Sequence, residues 1–355
     1  MALSNFWLGR SVFVTGHTGF MGGWLACVLM TRGAKVHGYA LDPPHGASFF
    51  TSTGLAGHLA SSTIGDIRDG ARLRTALLAA QPQIVFHLAA QPLVRAAHRS
   101  PVETFSVNVM GTAQLLEELR EIDSARAALM VTTDKVYLND NRATPYCESD
   151  RLGGKEPYSA SKACCEFVVE AWRHSYMRKI GVATIRAGNI FGGGDWAADR
   201  LVPDAIRNFS AGRPLILRRP QATRPWQHVL EPVAGYLRLA EHLMRDPKRF
   251  STGWNFGPPP IDCRPVAEVA QLLAAAWGQG AAVRAEPEDS IFEETLLSLD
   301  STHAETALGW QPRWMLDTAI FKTAEWYRAY GAGRDMWELT HQQIQQFESV
   351  MGKTS

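Results

Sequence analysis

The sequence predicts an α/β fold: a doubly wound parallel sheet with a smaller, loop-rich C-terminal part. Two observations predict it. Short β-branched runs alternate with helical stretches through the first half, and a glycine cluster separates the first run from the first helix. Ser11–Thr15 reads as a strand, residues 19–31 as a helix and residues 35–41 as a second strand. Residues 84–88 form a short apolar run that ends in Ala89-Ala90-Gln91. Residues 104–119 have helical spacing, with Phe105, Val109, Thr112 and Leu116 on one face. Residues 127–132 and Gly181–Arg186 read as further apolar strands. Strands joined by helices of this length run parallel, with both faces of the sheet covered.

After Gly188 the texture changes. Gly192-Gly193-Gly194, Pro214, Pro220, Pro225 and Pro258-Pro259-Pro260 crowd the chain, and the alternation weakens. The boundary is therefore placed at Gly188, with residues 1–187 in one domain and 188–355 in another. Segments such as 227–256 are expected to return to the first. Residues 335–351 read as a polar helix whose apolar stripe, Met336, Ile344, Phe347 and Met351, serves packing.

Composition narrows the function classes. With 355 residues, 46% of them hydrophobic, there is ample material for a core. A formal charge of +1 gives no reason to expect nucleic acid or an anionic membrane as partner. No apolar run reaches the ~18–20 residues of a membrane span, and the start MALSNFWLGR does not read as a signal peptide. Cys27, Cys147, Cys164, Cys165 and Cys263 form no C-x-x-C spacing. They read as packed, reduced thiols of a cytoplasmic protein, and no metal site is expected.

The glycine cluster is Gly16-His17-Thr18-Gly19-Phe20-Met21-Gly22. Between a strand and a helix, such glycines allow a tight turn, a close approach of pyrophosphate and close helix–strand packing. Phosphates then face free amides at a helix N-terminus. This context predicts dinucleotide binding on a Rossmann-type sheet, with His17 lining the pocket. The second strand should end in an acid for the adenosine ribose. Ala40 holds the usual position, and Asp42 stands two residues on, either as that ligand or as the start of the turn before Pro43-Pro44. No arginine sits in that turn, which favours NAD over NADP. Asp66 and Ile67 close another strand, at an adenine edge or in a solvated turn.

Tyr158 and Lys162 stand four apart at the start of a helical pattern and share one face. A phenol is a poor base at neutral pH, and an ammonium one turn away, together with a positive nicotinamide ring, would favour the phenolate and lower its pKa. Thr133, at the tip of an apolar strand, is placed to share a substrate proton. His87 lies within an apolar strand and reads as a core histidine.

Together these residues resemble the extended short-chain dehydrogenase/reductase superfamily, and within it the CDP-glucose 4,6-dehydratase family, from about residue 10 to 330. The segments that carry the resemblance include Leu41-Asp42-Pro43-Pro44, the run from His87 through Leu88-Ala89-Ala90-Gln91 to Arg95, and Asn108-Val109-Met110-Gly111-Thr112. Thr133-Asp134-Lys135, Arg186-Ala187-Gly188-Asn189, Gly192-Gly193-Gly194-Asp195-Trp196 and Arg224-Pro225-Trp226-Gln227-His228-Val229 continue it. Trp254-Asn255-Phe256-Gly257 and Leu308-Gly309-Trp310 complete it. Met21, Val136, Leu138 and Phe292 depart from the pattern, in place of lysine, cysteine, glutamate and histidine.

The resemblance implies an internal redox cycle on a sugar nucleotide, with NAD as cofactor. Tyr158 would take the proton from the hydroxyl on sugar carbon 4, and Thr133 would hydrogen-bond that oxygen. Lys135, where most relatives have glutamate, would remove the carbon 5 proton, and Asp134 would protonate the departing carbon 6 hydroxyl. Leu88, Ala89 and Ala90 would line the cofactor, and Gln91, Asn189, Arg200 and Arg224 the sugar nucleotide. A homodimer joined through the 104–119 and 158–173 helices is inherited from the same resemblance. The rivals are a nucleotide-sugar 4-epimerase or dehydrogenase, neither of which needs the Asp134-Lys135 pair, and a non-catalytic NAD-sensing regulator.

Overall fold

The computed structural model describes residues 5–286 and 296–351. Seven strands form its central sheet: β1 (Ser11–Thr15), β2 (Lys35–Ala40), β3 (Ser61–Ile64), β4 (Ile84–His87), β5 (Ala127–Val131), β6 (Gly181–Arg186) and β7 (Gly253–Asn255). Their order is β7-β6-β5-β4-β1-β2-β3, with every pairing parallel. Alternate side chains feed two apolar clusters, one on each face. Val12 and Val14 enter the first cluster with Ile84, Phe86 and Leu129, while Phe13 enters the second with Val85, Ala128 and Met130. The strands are buried on both faces, which is why they read as continuous apolar runs.

Strand order reverses between β1 and β4, and ligands of such sheets bind beyond the carboxyl ends at that point. Helix α1 (Phe20–Thr31) starts there, directly after the glycine loop. The expected 104–119 helix is bent: helical at Pro101–Phe105, π-helical over Ser106–Met110, then helix α2 (Gly111–Leu119). Its buried line runs through Thr104, Asn108 and Thr112, while Phe105 and Val109 are only half-buried. The face packs against helix α3 (Pro157–Ser175), and the contact there is polar. Leu116 is buried as expected.

Beyond β6 the chain makes short strand pairs, Ile190–Phe191 with Gln227–His228 and Thr223–Pro225 with Cys263–Pro265. Helix α4 (Leu230–Arg245) then crosses back over β5 and β6, and β7 joins the sheet edge beside β6. The C-terminal helix Met336–Met351 buries Met336, Ile344 and Phe347. Phe292 and the Met351 side chain lie outside the described residues.

Three histidines are buried in this frame. Desolvation drives His17 down to about 4, and His87 and His228 each to about 3. His87 is a core histidine as its strand position implied, with Nδ1 2.8 Å from Thr15 Oγ1 and Nε2 3.2 Å from Thr112 Oγ1. Burial has the opposite effect on Glu231, whose carboxyl is pushed up to about 8. Below an unfolded histidine value near 6.5 the unfolded chain binds three protons that the fold refuses; down to pH 4.5 the fold keeps one on Glu231 that the unfolded chain releases. The net of two protons favours unfolding as pH falls, by about 3 kcal/mol per pH unit from these groups. The urea midpoint should therefore drop steeply between pH 6.5 and 4.5, and a flat profile would show that these imidazoles are charged in the fold.

Candidate active site

Gly16 turns the chain out of β1 with φ +78°, and a Cβ on it would lie 2.8 Å from the Ala89 nitrogen. A Cβ on Gly22 would lie 2.2 Å from the Gly16 carbonyl oxygen, so α1 packs on the loop with no room to spare. The helix starts at Gly19 with no side-chain cap and no acid in its first turn. Its first amides are thus open to an anion. Thr15 Oγ1 accepts from the Leu88 and Ala89 amides, each at 3.1 Å, which brings Leu88-Ala89-Ala90 beside the glycine loop. These residues fit a dinucleotide pyrophosphate. His17 does not face it as a charged group: it is fully buried, packs on Gly38 and lies 2.8 Å from Ser62 Oγ. Thr18 binds the Leu41 carbonyl at 3.0 Å, while Phe20 and Met21 are half-buried.

Asp42 is exposed just past β2. Asp66 is committed to Arg68, its two carboxylate oxygens accepting at 2.9 and 2.6 Å. Ile67 is buried in the second apolar cluster against Gly111.

The catalytic candidates meet at the carboxyl end of β5. Thr133 caps the single turn Asp134–Val136, and its hydroxyl donates to Asp134 Oδ1 at 3.0 Å. Asp134 is buried and Lys135 half-buried. Tyr158 sits in the first turn of α3, where Pro157 and a Glu156 cap fix its backbone; Glu156 accepts from the Tyr158 and Ser159 amides, both at 2.7 Å. Tyr158 and Lys162 are both buried. The Lys162 ammonium donates to the Val131 carbonyl at 3.0 Å, and burial lowers its pKa against the pull of Cys165 and Glu166. Burial raises the Tyr158 phenol to about 12, Thr133 and Arg200 pulling it down and Asp134 pushing it up. Burial thus outweighs Thr133 and Arg200 at this phenol, whereas the lowering expected above belongs to Lys162 and the nicotinamide ring together.

Of the substrate candidates, Arg200 lies toward Tyr158 and pairs with buried Asp195 at 2.8 Å. Asn189 follows β6 in the left-handed region, φ +48°, and Arg224 lies half-buried on the strand Thr223–Pro225. Gln91 is used internally: its amide nitrogen donates to Thr104 at 2.9 Å and its oxygen accepts from the Leu93 amide at 2.7 Å. Val136 is fully buried, and Leu138 is exposed.

The roles of two sets of residues escaped the sequence reading, although Asn108 and Arg186 stand in segments that carry the resemblance. Asn108, in the π-helical turn, accepts from the Gln91 amide at 2.8 Å and donates to Ser161 at 2.9 Å; Ser161 in turn donates to the Tyr158 carbonyl at 2.7 Å. Behind the site lies a buried ion pair. Glu166 Oε2 accepts from Arg186 Nη2 at 2.8 Å and Thr184 at 2.7 Å; Oε1 accepts from Thr132 at 2.6 Å and Arg186 Nε at 3.1 Å. Burial pushes the Glu166 carboxyl up, but Arg186 and the two hydroxyls outweigh it and hold it below its usual value. For Glu166 the available signal was its place one helical turn after Lys162. Among the described residues no group of three or more metal-ligating side chains occurs, no helix is long and apolar enough to cross a membrane, and none of the five cysteines is in a disulfide.

A parallel sheet with an open glycine loop at its switch point, and a Tyr-Lys pair beside it, defines a nicotinamide-dinucleotide protein. The chain belongs to the NAD dependent epimerase/dehydratase family, which residues 12–253 match. It is 43% identical over 353 residues to CDP-glucose 4,6-dehydratase of Salmonella typhimurium, an alignment that covers 98% of each chain. With dTDP-glucose 4,6-dehydratase of Xanthomonas campestris it shares 28% over 334 residues, 88% of this chain and 92% of that one. Among solved structures, dTDP-glucose 4,6-dehydratase from Streptomyces venezuelae, with NAD and TYD bound, superposes with a TM-score of 0.77 at 22% identity, covering 91% of this chain and 98% of that one. That likeness shows the shared fold.

Removing one partner of the buried pair leaves the other charge stranded. Glu166→Ala should cost about 3–5 kcal/mol of stability, read as a lower urea midpoint. A loss below about 1 kcal/mol would mean that water reaches the pair.

Proposed function

We propose that the protein is an NAD-dependent nucleotide-sugar 4,6-dehydratase that converts CDP-D-glucose into CDP-4-keto-6-deoxy-D-glucose and water. The observation that carries this reading is the placement of Asp134 and Lys135, an acid and an amine in one turn, beside Thr133 and Tyr158. The 43% identity to the Salmonella enzyme supports both the reaction and the nucleotide.

NAD would be held by the Gly16–Gly22 loop, the start of α1 and Leu88-Ala89-Ala90, and when bound would supply the oxidant for carbon 4 and, once reduced, the reductant for carbon 6. Tyr158 takes the carbon 4 hydroxyl proton, and Thr133 hydrogen-bonds the same oxygen. Lys162 contributes positive charge that favours the phenolate against the penalty of burial. The carbon 4 ketone acidifies carbon 5, from which Lys135 removes the proton. Asp134 protonates the carbon 6 hydroxyl, which leaves as water. Arg224, Asn189 and Arg200 hold the nucleotide and its diphosphate, the guanidinium forks suiting paired phosphate oxygens. Residues 1–187 would serve the cofactor and segments after Gly188 the sugar nucleotide.

The test incubates the protein with NAD and CDP-, dTDP-, UDP- or GDP-glucose and reads product mass. CDP-glucose should lose one water and, in deuterated water, carry deuterium at carbon 5. Tyr158→Phe should slow turnover by about 100-fold or more with sugar-nucleotide affinity retained. Lys135→Met should oxidise carbon 4 yet stall before water is lost. Faster dehydration of another nucleotide would overturn the assignment of CDP, and dehydration by Lys135→Met at the parent rate would overturn the role of the amine.

The same reading includes a cytoplasmic homodimer. Free thiols suit a reducing compartment. Val102, Met110 and Phe167 expose 82%, 60% and 58% of their surface on the segment 101–119 and on α3. Such apolar side chains on adjoining helices suit a second copy of the chain. Light scattering should give the mass of two chains, and Phe167→Asp should shift it toward one; a parent that scatters as a single chain would refute the dimer.

A further inference from the structure

Gly188 follows β6 and is buried. Its φ lies outside the left-handed region, so its backbone conformation does not call for glycine. Space does. A Cβ on Gly188 would lie 1.7 Å from Asp134 Oδ2, 2.1 Å from its Cγ and 2.5 Å from Oδ1. The three nearest atoms thus all belong to one carboxylate. At Gly16 and Gly22 the corresponding obstacle is main chain, and at Gly193 it is the ring of buried Trp326.

Neither backbone is free to withdraw. The Asp134 amide donates to the Ala187 carbonyl at 3.3 Å, whereas the Thr133 hydroxyl, donating to Oδ1 at 3.0 Å, holds only the side chain. On the other side, Gln227 Nε2 donates to the Gly188 carbonyl at 3.2 Å and to the Phe256 carbonyl at 2.8 Å, while the Gln227 amide donates to the Asn189 carbonyl at 3.3 Å. An added methyl would therefore be absorbed by rotation of the Asp134 side chain, the one movable part of the contact.

We propose that Gly188 is a positioning residue for elimination: the absence of a side chain there keeps open the place in which the Asp134 carboxyl stands to protonate the departing hydroxyl. This rests on the reading of Asp134 as the acid of a dehydratase. A methyl at position 188 disturbs the fold little, because the far end of a side chain gives way, but it moves the acid. A displacement of about 1 Å costs on the order of 100-fold in rate. Oxidation at carbon 4 employs Tyr158 and Thr133, which feel Asp134 only through one hydrogen bond and its charge, and loses far less than elimination.

The experiment follows one turnover of CDP-glucose by the full chain with NAD, trapping 4-ketosugars by borodeuteride reduction after the quench. Gly188→Ala should form the 4-ketoglucose at most a few-fold more slowly than the parent, lose water about 100-fold more slowly, and melt within a few degrees of the parent. Added to Asp134→Ala, which removes the obstructing carboxylate, Gly188→Ala should cost nothing further. That comparison also decides the matter if Gly188→Ala alone does not fold. Elimination at the parent rate in Gly188→Ala, equal loss of oxidation and elimination, or a full further loss on the Asp134→Ala background would each overturn the proposal. A parent chain that oxidises CDP-glucose without dehydrating it would instead overturn the dehydratase reading.

Discussion

The pair Glu166–Arg186 carries opposite charges into the interior between α3 and the sheet, and the site is arranged around it. Desolvating two such ions costs several kcal/mol each, which mutual attraction offsets only when the remaining hydrogen-bond capacity is met. Here it is met. Each carboxylate oxygen takes one bond from Arg186 and one from a threonine hydroxyl, and Arg186 Nη1 continues to Tyr137 at 2.9 Å and the Glu148 carbonyl at 3.1 Å. Tyr137 in turn donates to Asn255 at 2.7 Å on β7. Three parts of the candidate site are tied to this cluster by short covalent distances: Thr132 precedes Thr133, Glu166 follows Lys162 by one turn, and Arg186 leads into Ala187-Gly188.

Gly188 and Asp134 are the tightest expression of that arrangement. The strand ends β5 and β6 are neighbours in register, Val131 beside Ile185, so the residues just past them must share one small volume. A carboxyl occupies it because a glycine does not.

Much of this was legible in the sequence, for reasons that are local. The apolar runs at Ser11–Thr15 and Gly181–Arg186 match the strands residue for residue, because a strand buried on both faces needs no partner to be recognised. The glycine loop and the Tyr158-Lys162 spacing were legible in the same way. What escaped depends on contacts between distant segments. Helical periodicity placed Phe105 and Val109 on the core face, yet the π-helical turn presents Asn108 to Ser161 instead, and a periodicity count carries no information about a polar partner. Gln91 looked like a substrate ligand, but its amide closes onto Thr104 and Leu93. Glu166 and Arg186 lie on different elements with no sequence pattern to join them, and the depth at which the Tyr158 phenol is buried is likewise set by distant segments.

The return of the chain to the sheet has a consequence for how this protein is made. Strand β6 is complete at Arg186, but its outer edge is paired only by β7 at Gly253–Asn255, and α4 arrives between them to cover the face. Until those residues emerge from the ribosome, β6 presents bare amides and carbonyls beside uncovered apolar side chains, the state from which strands join the wrong neighbour. The polypeptide cannot be cut at the change in texture near Gly188 without making that state permanent. The stretches on either side of Gly188 thus share one sheet and assemble as a single unit.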